Sequence, residues 1–263
     1  MSKVVSRVPR LLQVVGINSV PLVGIFAADW TDATALAFYW CENVIVTVLV
    51  SFRIWLHRRA TRLAGHWETS PVAAADAASS TSTFLSGFLV PASAFTAGHA
   101  VFLGLLLFVI LPQSFPDAGG VDLASLGEGV AAGTLVLTVG CSIDAVRIRH
   151  RPFSWIRQLA QRVLGRVVLV HLTIIFGMFA MTWLDGPRGL FLVFAGFKTL
   201  ADLGSYLGSD AAPDPEPSHW LVWSIRLLAG KRRAEAFVEF HRTSVAAELR
   251  RAAEWEQPVP AGR

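Results

Sequence analysis

The fold of this chain follows above all from one apolar run, ATALAFYWCENVIVTVLVSF, at positions 33–52. As a helix, these twenty residues are long enough to cross a hydrocarbon core about 30 Å thick, and Glu42 is the only charged side chain among them. Similar runs recur, so that 53% of the 263 residues are hydrophobic and 16% are charged, against about a quarter charged in soluble domains. With a mean hydropathy of +0.51, the sequence predicts an integral membrane protein.

Six apolar runs predict an all-α membrane protein, a six-transmembrane-helix bundle with cytoplasmic termini and a C-terminal amphipathic helical tail. The predicted spans cover about residues 9–28, 33–52, 84–111, 123–145, 167–184 and 188–207 of a transmembrane domain at 1–207. Three prolines within residues 208–218 predict a linker, because proline cannot continue a helix. Residues 219–263 are the predicted tail, with one apolar stripe of Phe237, Phe240, Leu249, Ala252 and Trp255.

The basic residues predict the orientation of the spans. Of the 23 lysines and arginines, 21 fall on the side that carries both termini, which the positive-inside rule assigns to the cytoplasm. We therefore expect a multi-pass protein of the cytoplasmic (inner) membrane, whose partners are the lipid bilayer and, through its basic segments, anionic lipid headgroups. Residues 147–166, with six arginines among apolar side chains, predict a helix in the headgroup region. Because topology explains the net charge of +4, no nucleic acid partner is expected, and a homo-oligomer stays open.

The familiar signatures of soluble chemistry are missing from the sequence. It contains no Walker loop, no Gly-x-Ser-x-Gly elbow, no His-Glu-x-x-His motif and no dinucleotide-binding glycine pattern, so it indicates no particular cofactor. Cys41 and Cys141 lie in different spans and are interpreted as small buried hydrophobic residues. Residues 66–83, rich in Ala, Ser and Thr, predict a flexible loop.

Ionisable side chains inside the spans mark the candidate functional site, because a charge at the bilayer centre costs about 2.5–3.5 kcal/mol on the insertion scale. Helical rise places four polar residues about 14 to 18 Å from the outer ends of their spans, and two more one turn deeper. The candidate ligand or proton site comprises Glu42, His99, Lys198 and Asn18 in the first layer, Asp202 and His171 in the second, and Tyr39 and Asn43 on the stripe of Glu42. No catalytic residue is indicated.

The formal charges of this site do not balance. Lys198 and Asp202 are four residues apart and predict an intrahelical pair, which leaves Glu42 without an obvious basic partner. Either Glu42 is protonated, or His99 or His171 is charged beside it, or a metal ion or cationic ligand supplies the difference. The candidate metal ligands are then Glu42, His99 and His171, with the metal unknown. A purely structural role, as ion pairs and interhelical hydrogen bonds, stays open for all of these residues.

Four motifs extend from the first predicted span to the sixth. They are Asn18-Ser-Val-Pro-Leu-Val-Gly24, Tyr39-Trp-Cys-Glu-Asn43, Phe95-Thr-Ala-Gly-His99 with Phe102, and Lys198-Thr-Leu-Ala-Asp202. Through these motifs the chain resembles an uncharacterised prokaryotic family of polytopic membrane proteins, known only as a domain of unknown function (DUF6498). The resemblance implies a six-helix membrane fold and brings no established activity. It also implies histidines in many relatives at two places where this chain has Pro91 and Tyr206. If those histidines bind a metal in relatives, this chain has lost or altered that site.

Three functions stay open at this point. In the first, the site handles a small solute, an ion or a proton, and alternating protonation of Glu42 couples to ligand passage. In the second, the protein is an intramembrane enzyme, metal-dependent or with Glu42 and His99 as a general base pair, acting on a lipid or a peptide. The Phe95-x-x-x-His99 element is loosely similar to intramembrane prenyl-protein proteases, but Cys41 stands where their paired glutamate would precede Glu42. In the third, the protein is a structural or scaffold subunit whose tail recruits a partner. The unbalanced charge favours the first.

Overall fold

The computed structural model describes residues 2–67, 83–114, 119–165, 176, 183, 188–208 and 216–259. Over these residues the chain is helical, and the only strand-like contact described is an isolated antiparallel bridge between Leu63 and Pro258. The helices are α1 (Ser2–Ala27), α2 (Asp32–Thr61), α3 (Phe84–Ser114), α4 (Leu123–Val146), α5 (153–165), α6 (Arg188–Gly208), α7 (His219–Ala229) and α8 (Lys231–Trp255). Helix α3 contains one π-helical segment, Leu106–Ile110, and short 3-10 turns occupy Ala64–Trp67 and Ile148–His150.

Three of these helices are long and apolar enough to cross a membrane. They are α2, α3 and α4, with 30, 31 and 24 residues. Helix α1 has a shorter apolar portion, Val14–Ala27, and α6 lies where the sixth span is predicted. The predicted span 167–184 lies outside the described residues, apart from positions 176 and 183. The all-helical class is thus confirmed for the described residues, and the membrane character rests on three helices.

Helix α2 is the centre of the bundle, and it packs against α1, α3, α4 and α6. It begins at Asp32 because the hydroxyl of Thr31 caps it, accepting the Thr34 backbone N–H at 3.0 Å. The sequence prediction ended this helix at residue 52, before the first arginine, but the helix continues for nine more residues. The reason is packing, since Ile54 and His57 in this extension are completely buried.

The interior of the bundle is apolar around the middle of α2. Phe38 of α2 packs with Ile17 of α1, Leu137 of α4 and Phe191 of α6. The close approach of α1 and α4 depends on two glycines, because a Cβ at Gly24 or Gly129 would overlap the indole of Trp30, which lies between them. This packing gives the neighbouring polar residues a low-dielectric environment.

Helix α5 rests on the bundle with its apolar face. Phe153 and Ile156 are buried in one cluster with Ile54 of α2, Phe88 of α3 and Trp255 at the end of α8. The sequence prediction had placed the apolar face of segment 147–166 among lipid headgroups. In the structure that face covers the protein, because α2 extends far enough to receive it.

Two further expectations need correction. His66, at the start of the predicted flexible loop 66–83, is only 1% exposed and belongs to a 3-10 turn, whereas residues 68–82 lie outside the described part of the chain. In the tail, the predicted apolar stripe is not one buried face. Phe240 is 69% exposed and Leu249 48% exposed, while Trp255 is 8% exposed and packs, with Ala252, against the cluster that contains α5.

Candidate functional site

Five of the eight residues predicted for the site come together in the middle of the bundle. Asn18 comes from α1, Tyr39 and Glu42 from α2, and Lys198 and Asp202 from α6. We call these five residues the lysine cluster. Their convergence follows from the packing of α1 and α6 against α2, which turns one polar stripe of each helix toward the others.

The ammonium group of Lys198 is the centre of the lysine cluster. Its Nζ atom lies 3.2 Å from Oε2 of Glu42, 3.1 Å from Oδ2 of Asp202 and 2.9 Å from Oδ1 of Asn18. The side chains of Lys198 and Glu42 are 5% and 1% exposed. The ammonium donates hydrogen bonds to Asn18 and Asp202 and forms an ion pair with Glu42, so contacts within the protein replace much of its hydration shell.

Asn18 connects α1 to both charged residues of α6. Its Oδ1 accepts the hydrogen bond from Lys198, while its Nδ2 donates to Oδ2 of Asp202 at 3.1 Å and to the backbone carbonyl of Val14 at 2.8 Å. These three contacts fix the orientation of the amide, because an ammonium only donates and a carboxylate only accepts. An aliphatic residue at this position would leave the Lys198 ammonium with one acceptor fewer.

The ring of Tyr39 forms the apolar wall of the cluster. Its centroid lies 5.5 Å from Nζ of Lys198, within the range of a cation–π contact, and 6.2 Å from the stacked ring of Phe191. Tyr39 is 5% exposed and Phe191 is completely buried. The cation is therefore held between oxygen atoms on one side and aromatic surface on the other.

The pairing of Glu42 differs from the sequence expectation. The predicted contact between Lys198 and Asp202 is present, but Lys198 also pairs with Glu42, which was expected to lack a basic partner. The long lysine side chain reaches across the gap between α6 and α2 to Glu42, and along one helical turn to Asp202. It therefore joins the two polar layers that were predicted from helical rise. One ammonium is thus shared by two carboxylates.

The other three predicted site residues are not among these contacts. His99 on α3 is half-buried, and its described contacts are with the rings of Phe95 and Phe102, at centroid distances of 4.6 and 6.4 Å. Asn43 is half-buried next to Glu42, with no side-chain contact to the cluster among those described. His171 lies outside the described residues. A metal site built from Glu42, His99 and His171 stays a prediction, and over the described residues no three His, Cys, Asp or Glu side chains are grouped to hold a metal ion.

A second polar cluster, which sequence reasoning missed, lies at the C-terminal end of α2. We call His57 and His66 the histidine pair: Nδ1 of His57 is 2.7 Å from Nε2 of His66, and Nε2 of His57 is 2.9 Å from the backbone carbonyl of Arg151. A carbonyl only accepts, so Nε2 of His57 carries a proton, and in the neutral form of the pair its Nδ1 accepts the Nε2–H of His66. Burial of both rings favours this neutral form, because a charged imidazole would lose its hydration.

The neutral state of the histidine pair has a clear physical cause. His57 and His66 are 0% and 1% exposed, and among the described residues Nδ1 of His66 has no hydrogen-bond partner. Burial, together with the nearby His57 ring and the Arg58 guanidinium, lowers the pKa of His66 from 6.5 to about 3. The signal that could have found the pair is the spacing of Arg53 and His57, four residues apart on the face of α2 that continues past the predicted span.

An ion pair fastens this end of α2 to α4. The guanidinium of Arg53 lies 3.1 Å from the carboxylate of Asp144, and Arg53 is 6% exposed. Asp144 falls at the end of the predicted fourth span, 123–145, and it lies in the last turn of α4. Helix α2 therefore connects the lysine cluster to the histidine pair over fifteen residues, about 22 Å.

Comparison with known proteins identifies one family and no closer relative of known activity. The model of the family described as "Family of unknown function (DUF6498)" matches residues 1–231. No curated protein and no solved structure matches the chain. The matched region contains the lysine cluster and the histidine pair, and it ends at the first residue of α8.

Proposed function

Because this chain belongs to the DUF6498 family, whose function is unknown, we propose an activity from its lysine cluster. The protein is a six-span inner-membrane protein that handles a small solute or ion, and the lysine cluster takes up and releases a proton as that ligand passes. The distribution of its basic residues supports cytoplasmic termini, and the three membrane-length helices support the bundle.

One observation carries the proposal: a single buried ammonium, that of Lys198, bridges the carboxylates of Glu42 and Asp202. With all three side chains ionised, their formal charge is −1, and uptake of one proton makes it zero. In an apolar interior the neutral state costs less free energy, so proton binding at these residues responds to the charge of any ligand that arrives beside them.

Protonation of Glu42 would change the contact between α2 and α6. When Glu42 is ionised, it holds Lys198 against α2, and the contact joins α2 to α6. When Glu42 is protonated, the attraction is lost and Lys198 keeps its intrahelical contact with Asp202 and its hydrogen bond to Asn18. The proton on Glu42 thereby loosens α2 from α6, which is the kind of two-state contact that alternating access requires.

Two other functions receive less support. An enzyme that uses Glu42 and His99 as a general base pair needs these two residues within hydrogen-bond reach of each other, and no such contact between them is among those of the described residues. For a scaffold whose tail recruits a partner, Trp255 of the predicted stripe is buried against the same chain, which leaves the exposed Phe240 and Leu249 of that stripe for a partner.

The proposal is tested by proton uptake in proteoliposomes that contain a trapped pH-sensitive dye. After a pH jump, with potassium and valinomycin to clamp the potential, we expect wild-type protein to equilibrate protons faster than empty vesicles. Glu42→Gln should abolish the difference while the protein stays folded. The matched control is Glu128→Gln, which alters an exposed carboxylate of α4 away from the cluster. Equal rates for wild type and Glu42→Gln would refute the proposal.

A further inference from the structure

The last described residues of the chain, 255–259, lie against the turn that follows α2. We call this segment the strap. The backbone N–H of Ala64 donates to the carbonyl of Gln257 at 2.8 Å, and the N–H of Val259 donates to the carbonyl of Arg62 at 3.0 Å. With the bridge between Leu63 and Pro258, these bonds fix the strap in one register.

The carboxylate of Glu256 in the strap caps the first turn of α5. Its two oxygens accept the backbone N–H groups of Phe153 and Ser154, at 3.0 and 3.1 Å. These amides have no intrahelical partner, and the residue before them, Pro152, has no side-chain acceptor for them. A residue about a hundred positions away therefore supplies the cap, and its negative charge also suits the positive end of the helix dipole.

The neighbouring Trp255 fits between two side chains of the same helix. Its ring centroid is 6.0 Å from that of Phe153 in an edge-to-face contact, and the guanidinium carbon of Arg157 lies 4.4 Å from the centroid of the Trp255 ring. Arg157 also pairs with Glu248 of α8 at 3.0 Å. An aromatic pocket, a cation and a helix N-terminus thus converge on two adjacent side chains of the strap.

The strap and the surface it covers belong to different parts of the chain. The family match ends at residue 231, so the strap lies outside it, whereas the turn after α2 and the whole of α5 lie inside it. The covered surface also adjoins the histidine pair, since the ring of His66 packs edge-on against that of Phe153 at 4.9 Å. An occupant of this surface therefore stabilises the end of α2 that carries the histidine pair.

We infer that this surface, formed by residues 62–64 and the first two turns of α5, is a recognition site for a peptide carrying tryptophan followed by a carboxylate side chain. Its resident ligand is the strap of the same chain, which binds and releases. Release uncovers the site and removes the cap of α5. The inference is independent of proton handling by the lysine cluster, because it concerns contacts at the other end of α2.

Peptide binding to the full-length chain tests the inference. The probe is a fluorescein-labelled peptide of residues 248–259, followed by anisotropy. Because the tethered strap has a high effective concentration, the wild-type site should be filled, and the probe should bind the full-length Trp255→Ala, Glu256→Gln double variant at least about tenfold more tightly. A probe with the same two substitutions should lose this binding. Equal binding of the probe to both proteins, or no binding to the variant, would overturn the inference.

Hydrogen exchange supplies a second test that needs only one conservative substitution. In full-length Glu256→Gln we expect the amides of Phe153 and Ser154 to exchange about five- to tenfold faster, because a charged cap is replaced by a neutral one. The matched control is Glu254→Gln, which changes an exposed glutamate two residues earlier. Unchanged protection at both amides in Glu256→Gln would show that the strap does not cap α5.

Discussion

Replacing Lys198 by methionine should destabilise the protein far more than its single positive charge suggests. The change keeps the length and the apolar stem of the side chain but removes the cation from between Glu42 and Asp202, at 3.2 and 3.1 Å. Glu42 is 1% exposed, so water cannot replace the lost partner. Breaking a buried ion pair on one side costs about 3–5 kcal/mol, and we expect a loss in this range.

The double variant Lys198→Met, Glu42→Gln separates this explanation from a simple packing defect. Glu42→Gln alone removes one ionic contact while Lys198 keeps Asp202 and Asn18, so we expect a loss of about 1–2 kcal/mol. In the double variant no carboxylate of α2 is left without a partner charge. Its loss of stability should therefore be smaller than the sum of the two single losses by about 1–3 kcal/mol.

The assay is equilibrium unfolding in mixed micelles of dodecyl maltoside and sodium dodecyl sulfate, followed by far-ultraviolet circular dichroism. Lys231→Met serves as the control, because that lysine is 72% exposed and its ion pair with Glu235 is long, at 3.8 Å. Its loss should therefore cost less than about 1 kcal/mol. Strict additivity of Lys198→Met and Glu42→Gln would refute the reasoning, since it would mean that the two side chains do not interact.

Two further predictions concern the histidine pair and the helix packing. The pKa of His66 is about 3 in the folded protein and 6.5 when exposed, so between these two pH values the unfolded chain binds one proton more, and this residue should lower stability by up to about 1.4 kcal/mol per pH unit as the pH falls. His66→Gln should flatten this slope in unfolding measured from pH 7 to 4, and an unchanged slope would contradict the buried neutral pair. Gly129→Ala should lower stability by about 1–3 kcal/mol because the new methyl group meets the ring of Trp30, whereas Gly127→Ala, which points into open space, should be neutral or slightly stabilising. Thermal unfolding of the two alanine variants side by side checks this, and equal melting temperatures would show that α1 and α4 are not packed around Trp30.

The sequence could predict those features that depend on local periodicity. The starts of α3 and α4 at residues 84 and 123 agree with the predicted spans, because each follows a residue that caps a helix and precedes an apolar run. The contact between Lys198 and Asp202 was likewise predictable, since i and i+4 positions share one face of any helix.

The remaining features depend on contacts between distant segments. The pairing of Lys198 with Glu42 needs the arrangement of α6 against α2, and no spacing within one helix encodes that. The histidine pair was missed because Arg53 was interpreted as the end of the span, although its charge is compensated by Asp144 of another helix. In the tail, periodicity pointed to a stripe along α8, whereas the residues that attach it, Trp255 and Glu256, stand at its end.

Protonation of Glu42 itself is the central claim, and infrared difference spectroscopy measures it without knowledge of the transported ligand. Spectra of detergent-purified protein recorded at low and high pH should show the carbonyl stretch of a protonated carboxylic acid in an apolar environment. We predict that this band is lost in Glu42→Gln and kept in Glu128→Gln, whose carboxylate is exposed. The same band in wild type and Glu42→Gln would contradict the account, because the proton would then reside elsewhere.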